Sequence, residues 1–164
     1  MAIRQIRIRG DEILRKKCKE VKEVTDRTKQ LIEDLFDTMY DDDGVGLAAP
    51  QVGILKRIAV IDVTEDRSDP IVLINPVILE KKGKQRGTEG CLSVPDMVGI
   101  VSRPNYVKVE AYDENMNKFV VEGEELLARA LIHEIEHLDG ELYVDKVEGK
   151  LYTLEEFAEE FGEG

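Results

Sequence analysis

Histidine and cysteine are scarce in this chain, with two of each among 164 residues. Two cysteines, Cys18 and Cys91, are too few for a disulfide framework and point to reduced thiols. Tryptophan is absent, and alongside the high Lys and Glu content this leans toward a thermophilic source. No apolar run approaches the ~20 residues that span a bilayer. The first ten residues alternate Ile with Arg and Gln and lack the apolar core of a secretion signal. A cytoplasmic location with no membrane partner is therefore expected. Basic residues are outnumbered: 23 Lys and Arg face 35 Asp and Glu, for a net charge of −12. Direct binding to nucleic acid is not expected of such a surface. Acid concentrates in Asp41 to Asp43 and in the tail from Glu155 to Glu163, and the basic stretch from Arg4 to Lys17 reads as solvated surface. Repeats and low-complexity linkers are missing too. The length suits one domain over residues 1–164.

What is present reads as α+β. Asp11 can cap a short helix to about Lys17. Thr25 or Asp26 can cap a longer one through Leu31, Leu35, Met39 and Tyr40, where apolar residues recur every three or four positions. Gly44-Val45-Gly46 ends it and opens a loop. Strand signals follow at Arg57 to Val63, Ile71 to Leu73, Val77 to Glu80, Val98 to Ser102 and Val107 to Tyr112. A hairpin turn at Asp113 to Asn117 leads into Phe119-Val120-Val121. A helix from about Glu124 to Leu138 stops near Gly140, and Leu154, Phe157 and Phe161 suggest a short acidic C-terminal helix. The expectation is mostly antiparallel β-sheet packed around a central helix, with helices at both ends of the chain.

The whole histidine supply lies in His133-Glu134-Ile135-Glu136-His137. On a helix this spacing stacks both imidazoles on one face, one turn apart, where they can share a metal ion. Glu134 lies between them, where a zincin-type site keeps its general base. Two histidines four apart can also sit on an exposed face. Here Leu126 and Ala130 precede His133 by seven and three residues, so the histidine face continues an apolar one. Leu127, Leu131 and Leu138 extend it on one side; Arg129, Ile132, Glu136 and Asp139 fall toward the other. Buried imidazoles need partners, and a metal supplies one to both. A catalytic metal commonly has three protein ligands and one open position. Cys91, Cys18 and a carboxylate are all candidates for the third. Cys91 lies in a glycine-flanked stretch that suits close backbone approach by a ligand, whereas Cys18 reads as structural.

Three motifs in order resemble the peptide deformylase family: Gly44-Val45-Gly46-Leu47-Ala48-Ala49-Pro50-Gln51, then Glu89-Gly90-Cys91-Leu92-Ser93, then the histidine motif. The resemblance, to bacterial type 1 members, covers nearly the whole chain. It departs at Glu136, where the family usually has Asp; that position should orient the metal site from behind its ligands. The resemblance implies that Cys91, His133 and His137 hold one divalent metal ion, with Fe(II) the physiological metal and Zn, Ni or Co able to replace it. From the residues alone a Cys-His-His set favours Zn. A thiolate beside Fe(II) would lose activity in air.

The implied reaction removes the formyl group from N-formylmethionine on nascent peptides, with transient proximity to the ribosome. Glu134 would move the proton of the attacking water. The Gln51 side-chain amide and the Leu92 backbone N–H would hold the developing oxyanion. Backbone near Gly46 would pair with the extended substrate, and Val45, Leu126 and Ala130 would line the methionine pocket, with the Arg129 stem a further contributor. Glu89 and Arg103 would form a supporting ion pair that could include Glu136; an ordinary surface pair is the alternative. Two other readings stay open. A metallopeptidase on the same motif would want a third histidine or a carboxylate as ligand. A zinc-stabilised binding module would close the fourth position with a protein group, for which Cys18 is the other thiol.

Overall fold

The computed structural model describes residues 2–161, so the end of the acidic tail, Glu163 included, lies outside them. Helix α1 spans Asp26–Asp41 and is capped by Thr25, whose side chain accepts from the Thr28 N–H. Five strands form one antiparallel sheet: β1 Gly46–Ala48, β2 Ile58–Ile61, β3 Ile71–Lys82, β6 Tyr106–Tyr112 and β7 Lys118–Glu124, in the order β1-β2-β3-β6-β7. The remaining strands, β4 Gln85–Cys91, β5 Val94–Arg103 and β8 Glu148–Thr153, form a second antiparallel sheet in the order β4-β5-β8. Helix α2 spans Glu125–Leu138 and α3 spans Leu154–Phe161. This is the expected α+β architecture.

Helices α1 and α2 pack on opposite faces of the larger sheet. Strand β2 is buried along its whole length, which explains an unbroken Ile-Ala-Val-Ile rather than an alternating one. Its Ile58 and Val60 join Leu31, Ile32, Leu35 and Met39 of α1. Its Ile61 joins Ala128, Leu131, Ile132 and Ile135 of α2, with Leu73 of β3 and Val107, Val109 and Ala111 of β6. Truncating a fully buried member such as Leu131 would cost about 2–5 kcal/mol. Helix α2 is thus pinned by its apolar side to the large sheet, and its histidine side faces the smaller one.

Several boundaries differ from the sequence reading. The Asp11-capped helix is a single 3-10 turn, Glu12–Arg15, with the Asp11 carboxylate accepting from Ile13 N–H. Arg15 turns away to bind Asp145, and Arg4 binds Asp34, so the basic stretch is partly tied down. The segments Ile71 to Leu73 and Val77 to Glu80 belong to one strand. Asn75, at φ 52, sits in the irregularity between them and bonds the Val21 N–H and carbonyl through its side chain. The loop expected at Gly46 is a short strand, paired with β2 and followed by a 3-10 turn at Ala49–Val52. Arg129 and Ile132, on the flank of α2 away from Leu127 and Leu131, are both buried. Helix α2 ends as expected, with Gly140 at φ 80 just beyond it.

Candidate active site

Three ligand atoms converge where α2 faces the smaller sheet. Cys91 ends β4, and Leu92 and Ser93 make the two-residue turn into β5. The Cys91 Sγ lies 3.3 Å from His137 Nε2, and that nitrogen lies 3.2 Å from His133 Nε2. The three form a group able to hold one metal ion, and no fourth ligand joins it among the described residues. Cys18 is elsewhere, packed among Ala48, Ala59 and Leu138. Burial pushes its thiol up to about 11.

The geometry fits a metal. Nitrogens on a tetrahedral ion at about 2.0–2.1 Å stand roughly 3.3–3.4 Å apart, close to the imidazole separation here. The electrostatics fit as well. For His133, burial opposes charge, but its hydrogen bonds to Cys91 and Glu89 prevail and hold the imidazole well above its ordinary range. His137 is held well below it by burial and by His133. The group calls for one positive charge between its ligand atoms, and a single cation satisfies both rings.

Behind His133 stands a saturated carboxylate. Glu89, on β4, accepts four hydrogen bonds. Oε1 takes one from Arg103 Nη2 at 2.9 Å and one from His133 Nδ1 at 3.0 Å. Oε2 takes one from Arg103 Nε at 2.7 Å and one from Arg129 Nη1 at 2.6 Å. A carboxylate can only accept, so His133 Nδ1 is the donor and Nε2 is the nitrogen left facing the ligand group. Burial would raise the Glu89 carboxyl, but Arg103 and His133 hold it far below the usual range. Arg103 continues to Glu136 Oε2 at 2.7 Å, and Lys146 reaches the same oxygen at 3.1 Å. The Glu89–Arg103 pair is therefore a buried one, with side chains 3% exposed, and it does include Glu136.

Glu134 is buried in the wall of a cleft of about 580 Å³, and its Oε1 has no hydrogen-bond partner. Burial pushes its carboxyl up to about 7. Gly46 of β1 lies against it: a Cβ built there would overlap Oε2 and come within 2.9 Å of Cδ. Gln51 is held in one orientation, with Oε1 accepting from Ala48 N–H at 2.9 Å. Its Nε2 donates to Ser93 Oγ at 3.0 Å and points at Cys91 Sγ, 3.5 Å away. Val45, Gly46, Gln51, Cys91, Leu92, Leu126, Ala130, His133 and Glu134 all line the cleft. Leu126 stands exposed at its mouth. His137 is buried behind the wall.

Other contributors escaped the sequence reading. Tyr143 lies nearly parallel to the His133 ring, with centroids 5.9 Å apart. Ser93 receives the Gln51 amide, and its place inside the second motif was a usable signal. The Arg129 stem was expected at the pocket and does line the cleft; what escaped was its guanidinium on Glu89, because an arginine head on a helix reads as solvated. Met97 and Leu154, which also line the cleft, carried no signal.

The comparisons agree with this geometry. The family described as polypeptide deformylase matches residues 3–151. A peptide deformylase of Lachnoclostridium phytofermentans is 59% identical over 160 residues, 98% of each chain. The crystal structure of a Legionella pneumophila peptide deformylase superposes with a TM-score of 0.87 at 46% identity, over 89% of this chain and 86% of that one. The Thermotoga maritima peptide deformylase gives 0.86 at 39% identity, over 90% and 99%. With a family match across most of the chain and relatives this close, the chain belongs to the polypeptide deformylase family.

Proposed function

We propose that Cys91, His133 and His137 hold one divalent ion, and that Glu134, Gln51 and the Leu92 backbone N–H act around it on an N-formylmethionyl peptide. The reaction is that of the family: hydrolysis of the N-formyl group from the N-terminal methionine of newly made polypeptides, with release of formate. One observation carries the assignment of roles. Three ligand atoms converge beside a buried carboxylate, Glu134, whose Oε1 has no partner and which lines the cleft. When bound, the ion supplies a Lewis acid that polarises the formyl carbonyl and lets water ionise near neutral pH. We take it to be Fe(II), with Zn, Ni or Co as substitutes.

The protein's own groups do the rest. Glu134 takes the proton of the attacking water and returns it to the departing amine; a carboxyl lifted to about 7 by burial suits both tasks. The Gln51 amide, fixed by Ala48, and the Leu92 N–H steady the charge that develops on the formyl oxygen. One such donor is typically worth about 2.7–4 kcal/mol. Strand β1 pairs with β2 on one side and ends the sheet on the other. A peptide can add there as a further strand, beside Gly46. Val45, Leu126 and Ala130 then flank its first side chain. We read residues 1–164 as one catalytic domain, working in the cytoplasm and only transiently near the ribosome. No helix among the described residues is long and apolar enough to cross a membrane.

The test is formate release from a formyl-Met tripeptide, measured anaerobically with Fe(II)-reconstituted protein. Release that stops with chelator and returns with Fe(II) is expected. One bound ion per chain without formate release would overturn the reading.

A further inference from the structure

Residues 126, 129, 130, 133 and 134 of α2 line the cleft, the i, i+3, i+4, i+7, i+8 stripe of one helix face. Two belong to the chemistry, and two are apolar. The fifth, Arg129, is a cation on that stripe, one turn before His133, and it is only 7% exposed. Its guanidinium is anchored on fixed acceptors of the smaller sheet. Nη1 donates to Glu89 Oε2 at 2.6 Å, and Nη2 donates to the Val101 carbonyl at 3.1 Å, with Gln85 Oε1 more distant at 3.4 Å. Gly87 on β4 leaves the room: a Cβ there would come within 3.3 Å of Nη2. Held at both ends, the methylene stem cannot swing out of the cleft wall.

The position matters because one helical turn is about 5.4 Å. A side chain attached beside a formyl group at His133 and Glu134, and running along this stripe, meets Arg129 next. We propose that Arg129 is a specificity-determining residue. It walls the pocket for the substrate's first side chain, accepting an uncharged chain along its stem and rejecting a cationic one through its guanidinium. This rests on the deformylase reading of the cleft. Charge balance sharpens it. Arg103 and Arg129 both donate to Glu89, while Glu136 takes Arg103 and Lys146, all at hydrogen-bond distances. Without Arg129, Glu89 Oε2 loses a donor on the cleft side, and a substrate ammonium can take its place.

The experiment compares wild type, Arg129→Ala, Arg129→Met and Arg129→Lys, each loaded with Fe(II). The readout is the ratio of kcat/KM for formyl-Met-Ala-Ser to that for formyl-Lys-Ala-Ser. The ratio should fall by about tenfold or more in Arg129→Ala and Arg129→Met, and Arg129→Lys should restore it toward wild type. Arg129→Met keeps a stem without charge, so a ratio within about twofold of wild type in that variant overturns the proposal. Should Arg129→Ala fail to fold, the Met and Lys variants decide alone. Dissociation constants of the two unformylated product peptides, by calorimetry, give the same ratio without turnover. If wild type releases no formate from the formyl-Met peptide, the deformylase reading fails, while these binding ratios still test Arg129.

Discussion

A single methyl group added at Gly46 should disable the site without touching a ligand. A Cβ at this position would overlap Glu134 Oε2 and approach Cδ to 2.9 Å and Cγ to 3.0 Å. The φ of Gly46 is not in the positive range, so alanine meets no backbone penalty there and the clash with Glu134 is the whole effect. An ordinary carbon–oxygen contact needs about 3.4 Å or more, so the carboxylate must retreat by roughly 1 Å. It is 4% exposed, and the space open to it is the cleft it lines, so yielding to the methyl moves it off its present position. A displacement of that size costs about 10²-fold in rate, and the overpacking costs about 1–3 kcal/mol of stability. In Gly46→Ala, kcat for formyl-Met-Ala-Ser should therefore fall about 100-fold with one ion still bound per chain. Because the loss acts through Glu134, the same change in a Glu134→Ala background should alter kcat by less than about twofold. An equal loss in both backgrounds would refute the reasoning and assign Gly46 to substrate pairing alone. So would full kcat in Gly46→Ala.

Three further outcomes are expected. Glu89→Gln leaves Arg103 and Arg129 buried against a neutral group, so chemical denaturation should show a loss of about 3–5 kcal/mol, and chelator competition should show metal affinity reduced about 10–100-fold; unchanged affinity would separate Glu89 from the metal site. Thiol titration with a chromogenic disulfide near pH 8 should count no cysteine in the metal-loaded native protein, one (Cys91) after chelation, and two in denaturant, because Cys18 is buried with its pKa raised to about 11. Two reactive thiols in the chelated native state would contradict this. Asp62 supports the fold above the carboxylate range. Burial alone would raise its pKa, but hydrogen bonds from Thr64 and Tyr40 hold it below the ordinary value. With the folded pKa depressed, its contribution is complete above the unfolded value of about 3.9 and is lost as pH falls through the folded one. Asp62→Asn should thus be less stable than wild type at neutral pH, with the gap closing in acid; a gap independent of pH would sink the assignment.

Long amphipathic segments were the most legible. Helices α1 and α2 announce themselves through apolar residues at helical spacing, because packing on the large sheet demands that spacing. Strand β4 was not legible. Gln85-Arg86-Gly87-Thr88-Glu89-Gly90-Cys91 has two glycines and almost no apolar side chain, yet it pairs with β5 along nearly its whole length. Its inward residue is Glu89, buried against two arginines. A strand whose core-facing side chain is charged cannot show apolar alternation. Strand β8 is similarly polar and short. In β3 the signal broke at Asn75-Pro76, where the chain bulges and Asn75 binds Val21. At the site, the histidine pair could be read from spacing, whereas Cys91 as the third member of the group came from the family resemblance, since no spacing rule links it to residues more than 40 positions away. Glu89 and Arg103 were legible as a pair. The Arg129 stem was legible as a pocket contributor, but its bond to Glu89 was not, because the head of a lone arginine on a helix is ordinarily solvated.

The buried charges around Glu89 also bear on why the site is built this way. Ion clusters of this kind are a poor source of stability, since desolvating four charges offsets most of their attraction, and well-packed apolar residues of similar volume often do as well or better. What apolar residues could not supply is direction. Glu89 turns one oxygen to His133 Nδ1, and Arg103 reaches both oxygens, so the carboxylate cannot rotate away. That fixes the plane of the His133 ring and the nitrogen it offers. The same carboxylate takes the Arg129 head, and the Arg129 stem lies in the cleft wall. One anion on β4 therefore orients a member of the group able to hold a metal and a cleft residue one helical turn apart. A change at the Arg129 head is then expected to reach His133 through Glu89, at a distance too short for water to screen.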